Sequence, residues 1–388
     1  MRVALLIAAA ILLAPSAAQE QKERPLYKTA YRVINVHSHW DKPNEAAAKA
    51  EVDIMDAAGV TAEVNLDVGR SDGTLPEWMA LRKKFSGRIL LFTKFTEKDF
   101  ERIREPGFFE GLVRELERSA KMGVQGVKIW KDLGMYIRDG SGETLKIDDP
   151  RLDPFWDKCG ELGLPVLIHS ADPKEYWYPL TYNSLHYGYR SEEDQHYKNP
   201  RMPRWEELIR ERDSVVAKHP KTTFIGAHFG SMTFDLEELG ARLDKYPNFH
   251  VECAARLRIL GRLNPQAVRD FFSKYQDRIL FGTDGIVLAS GHKPGNGKNI
   301  VIYPVDDADL VRVDPANVEA VERWKERALR VYSRYFEYFE TDRLDLVDPT
   351  GFAPDSLRLR GAKLPAQVLE KFYHANAERL IPSLAAKK

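Results

Sequence analysis

The stretch VINVHSHWD, residues 33–41, is an apolar run that ends in two histidines separated by one serine. In a β-strand successive side chains point to opposite faces, so His37 and His39 would point the same way. Two imidazole rings directed at one point pack poorly in a core and are suited to binding a metal ion. The rest of the chain decides between these two interpretations.

Short apolar runs recur along the chain, with helix-like stretches between them. NEAAAKAEVDIMDAAG, residues 44–59, has apolar residues at helical spacing and a terminal glycine, and the stretches at 107–123 and 153–163 are similar. Eight runs are predicted strands: 31–39, 60–67, 89–95, 124–130, 165–170, 222–230, 248–254 and 278–284. Alternating strands and helices predict an α/β fold with a parallel sheet, and eight units predict closure into a (β/α)₈ TIM barrel. An open doubly wound sheet is the alternative, but no glycine-rich phosphate loop follows the first strand.

Two segments exceed the usual length of loops, and both follow the carboxyl end of a strand. One runs from 171 to about 204 after the fifth strand, and the other from 285 to about 315 after the eighth. Active sites of barrel enzymes form at the rim where the carboxyl ends of the strands lie. C-terminal helices are predicted at 316–339 and 365–381.

The charge balance bears on the partners of the protein. Acidic and basic residues number 58 each, which gives no basic excess for nucleic acid and favours a small-molecule partner. Two cysteines, Cys159 and Cys253, are too few for a disulfide framework, and each falls inside a predicted regular element. We expect both to be small buried residues, with a single disulfide between them as the alternative.

The amino terminus has the pattern of a targeting segment. A basic start is followed by the apolar run at 3–14, and Ser16 and Ala18 fit cleavage before Gln19. This predicts a signal peptide at 1–18, a solvated leader at 19–30 and a barrel domain at 31–388. The mature protein is then secreted or periplasmic and free of the membrane, whereas an uncleaved anchor is the alternative.

Ionisable residues collect where the predicted strands end. They are His37 and His39 on the first strand, His169 on the fifth, His228 on the sixth and Asp284 on the eighth. Singly, each histidine suits a hydrogen-bonded core position, and the aspartate suits a helix cap. Together they supply nitrogen and oxygen donors on one rim, which a divalent transition metal prefers. Burying them without a partner would be costly.

The motifs VHSHW, IHS, GAHFGS and DRILFGTD, at residues 36–40, 168–170, 226–231 and 277–284, resemble those of the amidohydrolase superfamily. The closer resemblance is to its amidohydrolase-related branch, which includes aminocarboxymuconate-semialdehyde decarboxylase, and it extends to the closing helix, YHANAERL. It implies that His37, His39, His169 and Asp284 bind one divalent metal, usually Zn²⁺. It also implies that His228 is the acid/base group or the electrophile, and that Asp284 takes part in catalysis by holding the attacking water.

Three further residues lie on the inner face or rim of the predicted barrel. In other branches of the superfamily a carboxylated lysine at the position of Lys128 bridges two metals, whereas here the resemblance implies an ion-pairing or substrate-binding residue. Arg256 follows the seventh strand and could hold a substrate carboxylate through two hydrogen bonds, or pair with a neighbouring acid. Glu252 faces inward if the seventh strand alternates, either as support for the site or as part of a core ion pair.

The first long loop contains His186, Tyr187, Arg190 and His196 within an aromatic segment. We take His186 and Arg190 as candidate substrate-binding residues, although exposed loop residues usually have no specific role. The aromatic side chains at 176–189 are suited to stacking on a substrate ring or to packing the loop down.

Three functions remain open at this level. The leading hypothesis is an exported metal-dependent hydrolase that uses an activated water on an amide, lactone or ester carbon. The second is a metal-dependent decarboxylase of an unsaturated or aromatic carboxylic acid. The third is an exported small-molecule-binding protein on a degenerate barrel, against which the complete ligand set argues. The resemblance also suggests a homodimer, without a residue that requires one.

Overall fold

Eight parallel β-strands with helices between them form a nearly closed barrel, which confirms the predicted (β/α)₈ TIM barrel. The structure is a computed structural model that describes residues 25–40, 42–179, 181, 195–287, 318–347 and 358–385. The strands are β1 (Val33–Trp40), β2 (Val60–Val68), β3 (Ile89–Phe95), β4 (Gly126–Ile129), β5 (Val166–Ile168), β6 (Phe224–Gly226), β7 (Phe249–Glu252) and β8 (Ile279–Leu280). Three short strands follow: β9 (Gly285–Val287), β10 (Leu346–Val347) and β11 (Arg358–Leu359).

One longer helix follows each barrel strand. These helices are α1 (Glu45–Ala58), α2 (Leu75–Lys84), α3 (Phe108–Met122), α4 (Asp153–Glu161), α5 (Trp205–Lys218), α6 (Leu236–Lys245), α7 (Pro265–Lys274) and α8 (Val318–Glu340). The carboxyl-terminal segment contains α9 (Ala366–Glu370), a π-helical turn (Lys371–Ala375), α10 (Asn376–Leu380) and α11 (Pro382–Ala385). Short helical turns lie at Glu97–Phe100, Asp132–Met135, Pro150–Leu152, Lys174–Trp177, His196–Lys198 and Leu257–Leu260. Among the described residues, none of the helices combines the length and hydropathy that a membrane-spanning segment needs.

The predicted helix at 44–59 is confirmed together with the residues that end it. The Asn44 side chain accepts a hydrogen bond from the Ala47 backbone N–H, which satisfies a free donor of the first turn. Gly59 ends the helix with φ +79°, in the left-handed region that glycine adopts without a Cβ clash. Both ends of α1 are therefore readable from local sequence.

The barrel closes through the segment after β8. β1 pairs with β2 on one side and with β9 on the other, where Ser38 lies opposite Gly285. The Asp284 N–H donates to the His37 carbonyl oxygen (2.9 Å). This closure places Asp284, which follows β8, directly beside the two histidines of β1.

An irregularity in β1 sets which side chains point inward. Asn35 pairs with Glu63 but Ser38 pairs with Asn65, so β1 advances three residues while β2 advances two. This bulge places two consecutive residues, Val36 and His37, on the interior face. The strand therefore has apolar interior residues in its lower half and histidines in its upper half.

Two apolar clusters fill the molecule. The interior cluster takes side chains from most barrel strands, and at the amino-terminal end of the strands Ala377, Ile381 and Leu384 of the carboxyl-terminal segment complete it. The larger cluster lies between the strands and the surrounding helices. Cys159 and Cys253 are both buried and unpaired, as expected.

The predicted strand at 222–230 is wrong in its extent. β6 ends at Gly226, and the residues from His228 to Ser231 form a left-handed turn with φ between 57° and 62°. The stretch has the apolar composition of a strand because the turn is buried, although its backbone is not extended. The loop predicted from 285 likewise begins with β9.

The described part of the leader, residues 25–30, packs on α8. The Tyr27 backbone N–H donates to Ser333 Oγ (2.7 Å), and the Tyr27 hydroxyl donates to Glu340 Oε2 (3.1 Å). The predicted signal peptide at 1–18 lies outside the described residues.

Candidate metal centre

His37, His39 and Asp284 converge at the carboxyl end of the strands. The Nε2 atoms of His37 and His39 lie 3.2 Å apart, and Asp284 Oδ1 lies 3.2 Å from each of them. Both histidines are buried, and the aspartate is largely so. Three potential ligand atoms therefore surround a single point.

Hydrogen bonds fix how both imidazole rings are protonated. His37 Nδ1–H donates to Glu252 Oε1 (2.8 Å), and His39 Nδ1–H donates to Asp67 Oδ2 (3.0 Å). Because an ionised carboxylate only accepts, the proton of each neutral ring lies on Nδ1 and the lone pair on Nε2. Two lone pairs and a carboxylate oxygen at 3.2 Å repel one another unless a proton or a metal cation lies between them.

The carboxylates make this point attractive to positive charge. Burial alone would lower the pKa of His39, but Asp67 and Asp284 outweigh it and raise this pKa to about 9. Despite burial, the histidines hold the pKa of Asp284 well below its usual range, and His37 lowers that of Glu252 to about 2. The carboxylates beside the two histidines are therefore anionic.

The donor set fits a divalent transition metal. Ligand atoms around a tetrahedral Zn²⁺, with bonds of about 2.0–2.2 Å, would lie about 3.3–3.6 Å apart, slightly farther than the observed 3.2 Å. His37 and His39 each donate from Nδ1 to a carboxylate, as histidine ligands of a metal usually do from the nitrogen that does not bind the metal. His37, His39 and Asp284 can thus hold a metal, and the identity of the ion stays a prediction.

His169 lies next to this group rather than inside it. Its ring centroid is 4.6 Å from that of His228, and the group of atoms within 4.8 Å of one another contains His37, His39 and Asp284 only. Burial lowers the pKa of His169 well below its usual value, and its Nε2 is buried without a hydrogen-bond partner among the described residues. A neutral imidazole with an unsatisfied buried nitrogen is suited to serve as a further ligand.

His228 stands against the same group with a defined tautomer. Its ring centroid lies 4.9 Å from that of His37, and its Nδ1–H donates to the Ala254 carbonyl oxygen (2.8 Å). Burial and the nearby charge of Arg256 lower its pKa to about 3. The ring is therefore neutral, with Nε2 as a proton acceptor.

The backbone that carries His228 is held in an uncommon conformation. Left-handed φ/ψ angles cost L-residues roughly 1–2 kcal/mol each, and His228, Phe229 and Ser231 all adopt them. Arg212 Nη1 donates to the Gly230 carbonyl oxygen (2.6 Å), and Ser231 Oγ donates to that of Ala171 (2.5 Å). Local strain of this kind is concentrated at functional sites.

Two cationic side chains border the centre. Lys128 is fully buried, its Nζ lies 5.2 Å from the Trp130 ring centroid, and it has no hydrogen-bond partner among the described residues. Burial lowers the pKa of Lys128 to about 8, against the attraction of Glu252 and Asp284. Arg256 is buried beside His228 and donates to the Ala255 carbonyl oxygen (3.0 Å), and no described carboxylate pairs with it.

The remaining loop predictions have different outcomes. His186 and Arg190 lie outside the described residues. His196 is buried, its Nε2–H donates to Asp172 Oδ2 (2.8 Å), and Lys131 Nζ donates to the other oxygen of that carboxylate (2.5 Å).

Sequence reasoning missed Asp67, which orients His39. It also missed Lys94, whose Nζ donates to Asp67 Oδ1 (2.8 Å). The available signal was an aspartate directly at the end of the second predicted strand, on the rim that carries the histidines.

Comparisons with known proteins give one family match and several distant structural similarities. A model of the amidohydrolase family matches residues 34–382. Among solved structures, 2,6-dihydroxybenzoate decarboxylase from Rhizobium is similar at 15% identity and a TM-score of 0.46, covering 91% of this chain and 99% of that one. A putative amidohydrolase from Staphylococcus aureus is similar at 17% identity and a TM-score of 0.42, covering 65% and 88%. A zinc-bound amidohydrolase from Burkholderia multivorans is similar at 13% identity and a TM-score of 0.42, covering 90% and 99%.

A comparison with curated protein sequences finds no match. The amidohydrolase model, by contrast, matches the chain from the first barrel strand to the last helices, across every residue of the metal centre. The chain therefore belongs to the amidohydrolase family.

Proposed function

We propose that the protein is a metal-dependent hydrolase that cleaves an amide, lactone or ester bond of a small molecule. The observation that carries this proposal is the triangle of ligand atoms from His37, His39 and Asp284, beside the unprotonated Nε2 of His228. The triangle can hold a cation, and the Nε2 atom of His228 can accept a proton from water.

The chain's own residues then divide the work of hydrolysis. A divalent metal supplies Lewis acidity, which lowers the pKa of water and polarises a carbonyl oxygen. His228 Nε2 takes the proton of the attacking water and passes it to the leaving group, so that one water is consumed and no proton is lost. The Ala254 carbonyl keeps the His228 ring in the tautomer that this transfer needs and stabilises the imidazolium that forms.

The substrate we infer carries an anionic group. Lys128 and Arg256 are buried cations without a carboxylate partner among the described residues, and an unpaired buried charge is costly. A carboxylate on the substrate would satisfy either of them. The same pair of cations favours the second candidate, decarboxylation of a carboxylic acid, in which His228 would deliver the proton that replaces CO₂.

We further propose that the protein is exported. The support is the segment at 1–18, whose basic start, apolar run and small-residue cleavage site match a signal peptide. The mature enzyme would then act on small molecules in the periplasm or the medium. Amino-terminal sequencing of the exported protein should begin at Gln19.

The proposed activity is tested with a panel of lactones, esters, amides and aromatic or unsaturated carboxylic acids. The zinc-loaded mature protein is assayed in ¹⁸O-water, and both ¹⁸O in the products and released CO₂ are measured. Incorporation of one ¹⁸O per turnover without CO₂ supports hydrolysis, whereas CO₂ without a hydrolysis product contradicts it and supports decarboxylation. Tight binding of panel members without turnover would identify a binding protein instead.

A further inference from the structure

Glu252, the last residue of β7, is a fully buried carboxylate on which three N–H groups converge. Its Oε1 accepts from His37 Nδ1 (2.8 Å) and from the His228 backbone N–H (2.8 Å). Its Oε2 accepts from the Ala254 backbone N–H (2.5 Å). Both oxygens are thus occupied by donors from three separate places in the barrel wall.

These donors connect the two halves of the site. His37 belongs to the metal centre, whereas His228 is the first left-handed residue of the turn that carries the proton-transfer ring. Ala254, which Glu252 holds through its N–H, in turn accepts the His228 Nδ1–H through its carbonyl oxygen (2.8 Å). Glu252 therefore acts on the backbone of His228 directly and on its ring through Ala254.

The geometry requires an anionic acceptor at this position. A carboxylate offers about four lone-pair sites and no donor, which suits three converging N–H groups. A glutamine would turn an NH₂ group towards at least one of these donors. Gly282 leaves room for the arrangement, because a Cβ there would lie 2.8 Å from Glu252 Oε2 and 3.0 Å from His37 Cβ.

We propose that Glu252 is a positioning residue that sets the tautomer and orientation of His37 and His228 together. Through this one carboxylate, the affinity for the metal and the alignment of the proton-transfer histidine depend on each other. The proposal rests on the proposed function only for the role of His228, and its tests need no substrate.

The first measurement is ¹⁵N NMR of histidine-labelled, zinc-loaded mature protein, with His37 and His228 assigned through single-site variants. Both rings are expected in the Nδ1–H form. Finding the Nε2–H form of His228, or an imidazolium there at neutral pH, would overturn the proposal without any change to Glu252.

The second measurement uses the Glu252→Gln variant. Its apparent Zn²⁺ affinity, measured by competition with a chromophoric chelator, should fall about 10- to 100-fold, as for loss of other partners of metal ligands. The ¹⁵N signals of both His37 and His228 should move away from the wild-type tautomer. A folded variant with wild-type affinity and signals would show that Glu252 is only structural, and a change confined to His37 would contradict the joint role.

Glu115→Gln is the matched control. Glu115 is also a buried carboxylate that accepts several hydrogen bonds, from Ser71 and Ser119, but it lies on α3 outside the barrel. This variant should lower the melting temperature without moving either histidine or the metal affinity. If Glu252→Gln does not fold, Glu252→Asp keeps the charge but shortens the side chain, so it should produce both changes in weaker form. Wild-type affinity and tautomers in a folded Glu252→Asp would contradict the proposal.

Discussion

At the scale of single residues, Asp284 combines two structural roles. Its backbone N–H ties the end of the barrel sheet to β1, and its Oδ1 faces both histidines of the metal centre. Its φ of +67° places it in the left-handed region, so the backbone at this position is strained as well. A strained, buried carboxylate directed at two histidine lone pairs is readily explained by a cation.

We expect one metal ion per mature chain and a loss of metal in the Asp284→Asn variant. Replacing a charged ligand atom should weaken binding by more than the roughly 10- to 100-fold that is typical of changes next to a ligand. Elemental analysis after dialysis against a weak chelator measures this. Lys128→Ala serves as the control and should keep one metal. Two metals per chain, one of them lost with Lys128, would contradict a mononuclear centre.

We expect His228→Asn to separate metal binding from catalysis. The substitution removes the proton acceptor but none of the three converging ligand atoms, so metal content should stay at the wild-type value. The turnover number on a substrate from the panel should fall about 100- to 10,000-fold, the usual contribution of general acid–base catalysis. His374→Gln, at a half-buried position beside Glu378, is the control and should retain turnover. Full activity of the His228 variant would exclude the proposed proton transfer.

The residues of the site differ in how far the sequence could predict them. His37, His39 and Asp284 carry a recognisable spacing and strand position, and the structure brings them together. Glu252 was predicted to face inward without a defined partner, and Asp67 was missed, because each acts through a hydrogen bond to another strand that alternation alone does not specify. The roles of His186 and Arg190 stay predictions.

At the scale of elements, the left-handed turn after β6 explains why strand prediction failed there. Buried residues such as Phe229 give the stretch the composition of a strand, but composition does not report the sign of φ. The sequence did not indicate the bulge in β1 either. The bulge shifts by one residue the set of alternate side chains that face the barrel interior, part-way along the strand. By contrast, the caps of α1 lie at the positions where the sequence shows them.

Backbone strain in this turn leads to an unusual expected order of stability at Ser231. Both Ser231→Ala and Ser231→Gly lose the hydrogen bond to the Ala171 carbonyl oxygen. Only glycine relieves the positive φ of 62°, so Ser231→Gly should be more stable than Ser231→Ala by about 1 kcal/mol. Urea unfolding of the two variants measures the difference. An alanine variant that is the more stable one would show that the turn is not left-handed in solution.

Two buried carboxyl groups join α1 to β2, and we expect them to make stability depend on pH. Burial and the nearby Glu63 raise the pKa of Glu51 well above its usual value, and burial raises that of Glu63. Such groups contribute stability that is present below the unfolded pKa and lost as pH rises through the folded pKa. Glu51→Gln should therefore match the wild type near pH 4.5 and exceed it above neutrality by about 1–3 kcal/mol.

Urea unfolding between acid and alkaline pH tests this expectation. Glu337→Gln is the comparison, because Glu337 is a buried carboxylate that pairs with Arg334 instead of another acid. That variant should be destabilised, not stabilised, at neutral pH. A Glu51→Gln advantage that does not change with pH would contradict the raised pKa of Glu51 in the folded state.

At the scale of the whole molecule, the alternation of eight strands and helices predicted the barrel, with an open doubly wound sheet as the alternative. Each unit carries its own apolar periodicity, and only one closed arrangement accommodates eight of them with parallel strands. The contribution of the carboxyl-terminal segment was not predictable in the same way. The sequence predicted a helix at 365–381 without a role, but Ala377, Ile381 and Leu384 fill the amino-terminal end of the barrel interior.

This placement makes Ile381 a test of the overall architecture. Its side chain is fully buried within the interior cluster, so Ile381→Ala should destabilise the protein by about 2–5 kcal/mol through lost burial and a residual cavity. Denaturant unfolding measures the change. Leu344→Ala, at an exposed apolar residue, should stay within about 0.5 kcal/mol of the wild type. Equal effects of the two substitutions would mean that the segment does not enter the barrel.

The position of Ala377, Ile381 and Leu384 under the barrel also determines an order of events in time. A ribosome makes the amino-terminal strands first, so Ile34 and Val36 are synthesised some 340 residues before the side chains that cover them. Until then the interior of the nascent barrel is open to water at one end. The native fold is completed only when the last helical turns have emerged, and a chain that stalls earlier presents its strands to chaperones and proteases.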